Sequence, residues 1–142
     1  MSNANLKIVQ DAYAAFGRGD IAAVIDTMTP DVTIGIVGRR KDAPFFGIFT
    51  GKAGAAEFFK ELDAAHEIRM FEPQRFLVAE DKVLVWGRYT WAMRQSGISD
   101  TTEWLHVLTM RDGKLTAWRG HNDTAMLAEA YHAAPAKRAA SG

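Results

Sequence analysis

The residues in this chain best suited to chemistry gather near its C-terminal end, around His106. An imidazole half buried among aromatic side chains can act as a general acid or base near neutral pH, or donate a hydrogen bond to a developing oxyanion. Its neighbours depend on the turn in the run Arg111-Asp112-Gly113-Lys114. A three-residue loop over residues 111–113, with Gly113 in the left-handed region, sets His106 opposite Trp118, Trp104 opposite Gly120 and Thr102 opposite Asn122. A two-residue Asp112-Gly113 loop sets His106 opposite Arg119 instead. The first register is preferred because it groups two indoles, an imidazole and an amide on one sheet face, the make-up of an apolar pocket with few polar groups. His106 is therefore the first candidate catalytic residue, with Trp104, Trp118, Asn122 and Thr102 as candidate ligand contacts. The competing reading of His106 is a core histidine whose hydrogen bonds are satisfied.

Arg88 is the second catalytic candidate. It interrupts an apolar strand, where it either anchors a ligand carboxylate in the pocket or faces outward at a dimer surface, and strand parity does not choose between them. Tyr13, Phe16, Met28, Phe58 and Phe59 are expected to build the core beneath the pocket, with the Tyr13 hydroxyl the group among them able to reach a ligand. Asp123, directly before Thr124-Ala125-Met126, reads as a helix N-cap. Residues 47–52, GIFTGK, fall one residue short of a phosphate-binding loop and are followed by Ala53 where a hydroxyl side chain is needed. In His121-Asn122-Asp123 strand alternation separates the side chains, and no helical histidine pair supports a metal site. Neither a metal nor a cofactor is expected.

The elements that must position these residues follow from periodicity. Leu6, Val9, Tyr13 and Phe16 mark one face of a helix that Gly17 and Gly19 stop, and Asp20 can cap a second helix over residues 21–28, ending before a Pro30-Asp31 turn. Residues 31–37 and 44–50 read as strands, with a polar turn between them, and a third helix after Gly51 is expected to bury Ala56, Phe59, Leu62 and His66. Four long strands follow over residues 68–79, 83–93, 101–110 and 115–123, with AEDK and RDGK turns, and a last helix covers residues 124–132. Helices first and a strand meander after them describe an α+β domain spanning residues 1–132, with residues 133–142 as a flexible C-terminal tail. The 142 residues carry 17 Lys and Arg against 17 Asp and Glu, so the electrostatic footprint of a nucleic-acid binder is missing. No cysteine is present, which excludes thiol nucleophiles, iron–sulfur clusters and disulfides. With no apolar signal core and no membrane-length apolar run, a cytoplasmic protein without nucleic-acid or membrane partners is expected.

This order of elements, with GRGD after the first helix, TPDVTI opening the first strand, FTGKAGAAEFF leading into the third helix and MRDGKLTAWRGHNDTA near the end, resembles the nuclear transport factor 2-like (NTF2-like) superfamily over nearly the whole chain. It is most similar to the ketosteroid isomerase and SnoaL-like polyketide cyclase branch. The resemblance implies a cone-shaped, curved antiparallel sheet with three N-terminal helices on its concave face, the cystatin-like roll, enclosing a small apolar pocket and forming a homodimer through the sheet. It places His106 where the cyclases carry a strand histidine and the isomerases an oxyanion-hole aspartic acid. The departures are as specific. The catalytic aspartate of the cyclases and of limonene epoxide hydrolases falls on Gly120, the isomerase base falls on Ile36, and the isomerase tyrosine of the first helix falls beside Ala12 rather than on Tyr13. The Arg-x-Asp pair of the epoxide hydrolases is represented by Arg88-Tyr89-Thr90, without its acid. Two functions stand from this. One is a cofactor-independent enzyme of the isomerase, cyclase or lyase type, using the pocket histidine on a small hydrophobic carbonyl or polycyclic substrate. The other is a non-catalytic ligand-binding or dimerisation module. Fold alone does not decide between them.

Overall fold

The helical face of Leu6, Val9, Tyr13 and Phe16 becomes α1, Ser2–Gly17, in the computed structural model, which describes residues 2–135. Asp20 caps α2, Ile21–Asp26, its Oδ1 accepting the Ala23 N–H at 3.1 Å. That helix ends earlier than its periodicity suggests, because Met28 already opens β1, Met28–Ile36. The expected Pro30-Asp31 turn is thus corrected to strand. Proline is tolerated there because the pairing of β1 slips between Met28 and Thr33, so the missing N–H is not called on. The remaining elements are β2, Gly47–Thr50; α3, Gly51–Ala65; β3, His66–Ala79; β4, Lys82–Met93; β5, Ser99–Arg111; β6, Lys114–Asn122; and α4, Thr124–His132. Asp123 caps α4, its Oδ1 accepting the Met126 N–H at 2.9 Å. In α3 the buried side chains are Ala55, Phe58 and Ala65, with Phe59 and Leu62 partly buried, while Ala56 is exposed and His66 has left the helix to begin β3. The expected stripe is therefore turned, since the run Ala55-Ala56-Glu57-Phe58-Phe59 offers two adjacent apolar faces, and the one with Ala55 and Phe58 takes the core.

The six strands form one sheet in the order β2-β1-β6-β5-β4-β3. Neighbours run antiparallel except at the β1–β6 seam, which is parallel, so the curved sheet is mixed at that one place. Its inner face carries Val83, Val85, Tyr89 and Trp91 from β4 and Trp104, His106, Leu108 and Met110 from β5, all buried. The helices α1 and α3 pack against this sheet, α1 on β3 and β4, α3 on β1, β2 and β3. Among the described residues no helix is long and apolar enough to cross a membrane. Most of the tail expected over residues 133–142 lies outside the described residues, beyond Pro135.

The β5–β6 hairpin decides which side chains meet. Its turn is the two-residue Asp112-Gly113, with φ of 52° and 77°, and Arg111 faces Lys114 across it. The preferred three-residue loop is therefore corrected. The register then shifts once more beside Thr116, so that Met110 faces Leu115 but Thr109 faces Ala117. In consequence His106 stands opposite Gly120, not Trp118 or Arg119, and Trp104 stands opposite Asn122. The two one-residue offsets add to a full strand period, so Trp104, His106, Trp118, Gly120 and Asn122 still share one face.

Candidate functional site

Between α1, α3 and the inner face of the sheet lies a cavity of about 90 Å³. Its walls are apolar, built from side chains such as Phe16, Met28, Ile34, Phe58 and Phe71, and among the described residues no Asp, Glu, Lys or Arg side chain lines it. The polar groups at its wall belong to Tyr13, Tyr89, His106, Asn122 and the indoles of Trp104 and Trp118. Helix α1 brings Tyr13 in from one side and β5 brings His106 from the other, and the phenol oxygen lies 2.6 Å from His106 Nδ1. His106 is 6% exposed. Trp104 stacks on it at 4.0 Å between ring centroids, and Trp118 meets it edge-on at 4.5 Å.

Burial holds the His106 pKa well below its ordinary value, and the nearby His121 acts in the same direction, so the ring is neutral at pH 7. Burial likewise raises the Tyr13 pKa, against a smaller opposing influence of the Trp118 hydrogen bond, so the group is a phenol and not a phenolate. These two neutral partners share one proton across the contact, and either the phenol or Nδ1–H can donate it. With the phenol donating to Nδ1, the neutral ring carries its own proton on Nε2 and can offer that N–H to a ligand.

The other candidates separate. Trp104, Trp118, Asn122 and Tyr13 line the cavity together with His106. Thr102 does not: it is buried, and its Oγ1 accepts from Trp91 Nε1 at 3.1 Å, so its hydroxyl serves the core. Arg88 stands on the outer face of the sheet, where its Nε donates to Glu72 Oε1 at 2.8 Å and half of its side chain is exposed. Of the two readings of Arg88, the pocket anchor is thus overturned and the outward position holds, because β4 turns Gly87 and Tyr89 inward and Arg88 outward, into an exposed ion pair. Ile36 and Gly120, the two positions where the resemblance places carboxylates, are register partners on β1 and β6, and His106 follows on β5. Gly120 is more than a missing acid. A Cβ there would lie 2.8 Å from Trp118 Cη2, so the indole has taken the space a side chain would need.

Two participants escaped the sequence. Phe71 stacks on Trp104 at 4.8 Å and 8°; its inward position is hidden because the register of β3 shifts at two places, between Ile68 and Met70 and between Pro73 and Arg75. His66 is fully buried, with Nδ1–H donating to the Leu62 carbonyl at 2.9 Å and Nε2 accepting from the Tyr89 hydroxyl at 3.1 Å. Burial lowers its pKa also. It is a satisfied core histidine whose tyrosine partner reaches the cavity wall. Among the described residues no group of three His, Asp or Glu side chains is placed to hold a metal ion.

The family model of the SnoaL-like domain matches residues 9–118. No curated protein matches the chain in sequence. Solved structures do. An NTF2-like protein from Burkholderia pseudomallei K96243 is 25% identical, with a TM-score of 0.85 over 94% of this chain and 100% of that one. An NTF2-like protein from Burkholderia xenovorans LB400 is 30% identical, with a TM-score of 0.82 over 93% of this chain and 98% of that one. TerC, co-crystallised with polyporic acid, is 27% identical, with a TM-score of 0.79 over 92% of this chain and 99% of that one.

Proposed function

The chain belongs to the SnoaL-like domain family of the NTF2-like superfamily, and from that membership we propose that it binds a small hydrophobic carbonyl or polycyclic compound and acts on it without a cofactor, as an isomerase, cyclase or lyase. The observation that carries this reading is the Tyr13–His106 pair in an otherwise apolar cavity. A ligand carbonyl oxygen beside Nε2–H accepts its hydrogen bond. As negative charge develops on that oxygen, the bond strengthens in a cavity that excludes water, while Tyr13 holds the ring in place. The neutral imidazole keeps its proton throughout and polarises the carbonyl. The aromatic wall of Trp104, Phe71 and Phe16 suits a flat ligand, and the similarity to TerC, crystallised with polyporic acid, supports the same class.

A second reading, a binding module without turnover, is favoured by one observation: among the described residues no carboxylate lines the cavity to take a proton from carbon. Native mass spectrometry of the purified protein, followed by denaturation and identification of any released molecule, separates the two readings once that compound is returned to fresh protein. A chemically changed product supports the enzyme. Recovery of the unchanged compound supports the module and ends the enzyme reading. His106→Phe is expected to lower turnover of that compound about 100-fold or more, the usual cost of losing one oxyanion donor, with an unchanged circular dichroism spectrum. Undiminished turnover would remove His106 from the reaction.

We propose also that two copies pair through the outer face of the sheet, where Leu84, Trp86, Leu105 and Val107 are half-buried in the single chain. Sedimentation velocity is expected to give a dimer, and Val107→Asp a monomer. A wild-type monomer at micromolar concentration would end that proposal.

A further inference from the structure

Among the described residues, two buried side-chain polar atoms lack a hydrogen-bond partner, Trp104 Nε1 and Asn122 Oδ1. They are not scattered. Trp104 and Asn122 are register partners across β5 and β6, on the same face, and both line the cavity. Trp104 is 3% exposed, and its plane is fixed by near-parallel stacking on His106, Phe71 and Tyr13, so the indole cannot swing away to find an acceptor. Leaving such a group unpaired is costly, and a suitable ligand atom removes that cost.

The polarity of the pair selects that atom. An indole N–H only donates and an amide oxygen only accepts, and the two are not bonded to each other. A ketone or ether oxygen satisfies the indole and leaves the amide; an ammonium group does the reverse. A hydroxyl group does both. We infer that Trp104 and Asn122 form a subsite for a hydroxyl group of the bound molecule, so that the ligand class is a hydroxylated aromatic or enolic carbonyl compound and not a plain ketone or hydrocarbon. Trp104 stacks 4.0 Å from His106 between ring centroids, so the subsite adjoins the imidazole. The inference rests on the ligand-binding reading of the cavity and deepens it. Water carries the same two polarities, and a ligand hydroxyl replaces such a water bond for bond, whereas a methyl group cannot.

Three single-ring probes sized to a 90 Å³ cavity test this: phenol, anisole and toluene. Each is titrated into ¹⁵N-labelled protein while the indole N–H signals of the four tryptophans are followed, with Trp104 identified by the signal lost in Trp104→Phe. Phenol is expected to bind about 10-fold or more tightly than anisole or toluene, against their order of hydrophobicity, and to move the Trp104 N–H signal downfield. Asn122→Leu and Trp104→Phe are each expected to reduce that preference to about 3-fold or less. Should Trp104→Phe fail to fold, the wild-type ordering and Asn122→Leu still decide. Toluene or anisole binding as tightly as phenol overturns the hydroxyl subsite and leaves the cavity a ligand site. Absence of binding by all three overturns the subsite and the ligand-binding reading together.

Discussion

Lowering the pH below about 6.5 is expected to destabilise the folded state through two histidines. His66 and His106 are both buried, and burial depresses both pKa values. In the unfolded chain each returns to an ordinary histidine pKa of about 6.5. Below that pH the unfolded state therefore binds more protons than the folded one. The stabilisation is complete above about 6.5 and is lost as pH falls, at up to about 1.4 kcal/mol per pH unit for each ring, until the folded pKa is reached. Hydrogen bonding at the first of these rings reinforces the sign. At His66 the Leu62 carbonyl takes the Nδ1 proton, so Nε2 of the neutral ring accepts from the Tyr89 hydroxyl, and protonation forces that hydroxyl to give up its donated bond. Urea unfolding at several pH values checks this, with His66→Gln and His106→Gln each expected to reduce the slope by up to one proton. A stability that stays level from neutral to mildly acid pH, or a slope that neither substitution changes, would show that neither ring is held neutral.

The second large effect concerns the absent carboxylate. Gly120→Asp is expected to destabilise the protein by about 2–6 kcal/mol, because overpacking costs about 1–3 kcal/mol and an unpaired buried carboxyl about as much again. The overpacking has a named source, since the new Cβ falls 2.8 Å from Trp118 Cη2. Trp118→Ala alone should cost about 3–5 kcal/mol through the space it leaves. Combined, the two should cost less than their sum, since the carboxylate then has room beside its register partner His106. That neighbouring negative charge should also raise the His106 pKa above its wild-type position. A double-mutant cycle in urea together with the NMR titration of the His106 ring reads both effects. Strict additivity with an unmoved titration would mean that position 120 no longer addresses the histidine.

How much of this was legible in the sequence varied by residue, for physical reasons. The α+β order, the Asp20 and Asp123 caps and the shared inner face of Trp104, His106, Trp118 and Asn122 all follow from local pattern. The face survived even though the hairpin register did not, because the shorter turn and the bulge beside Thr116 are each one residue and together restore strand parity. Arg88 was not legible. The strand around it is apolar on both faces, and the Glu72 that holds it lies on another strand. Thr102 was misplaced because its partner, Trp91, is also remote. Helical phase put Tyr13 on the buried side of α1, but periodicity carries no information about which of many inner-face groups its hydroxyl meets.

The two ends of the Tyr13–His106 bond are 93 residues apart, and β6, made after β5, must enter between strands made before it. Contacts so distant along the chain close slowly, and they close late. During synthesis the growing protein therefore presents unpaired edges of β1 and β5 and an open aromatic wall until residues 114–122 emerge and fill the gap. Trp118, Gly120 and Asn122 all arrive with that last strand. A chain stalled before β6 would carry Tyr13, Trp104 and His106 but lack Trp118 and Asn122, so its cavity would stand open along one wall.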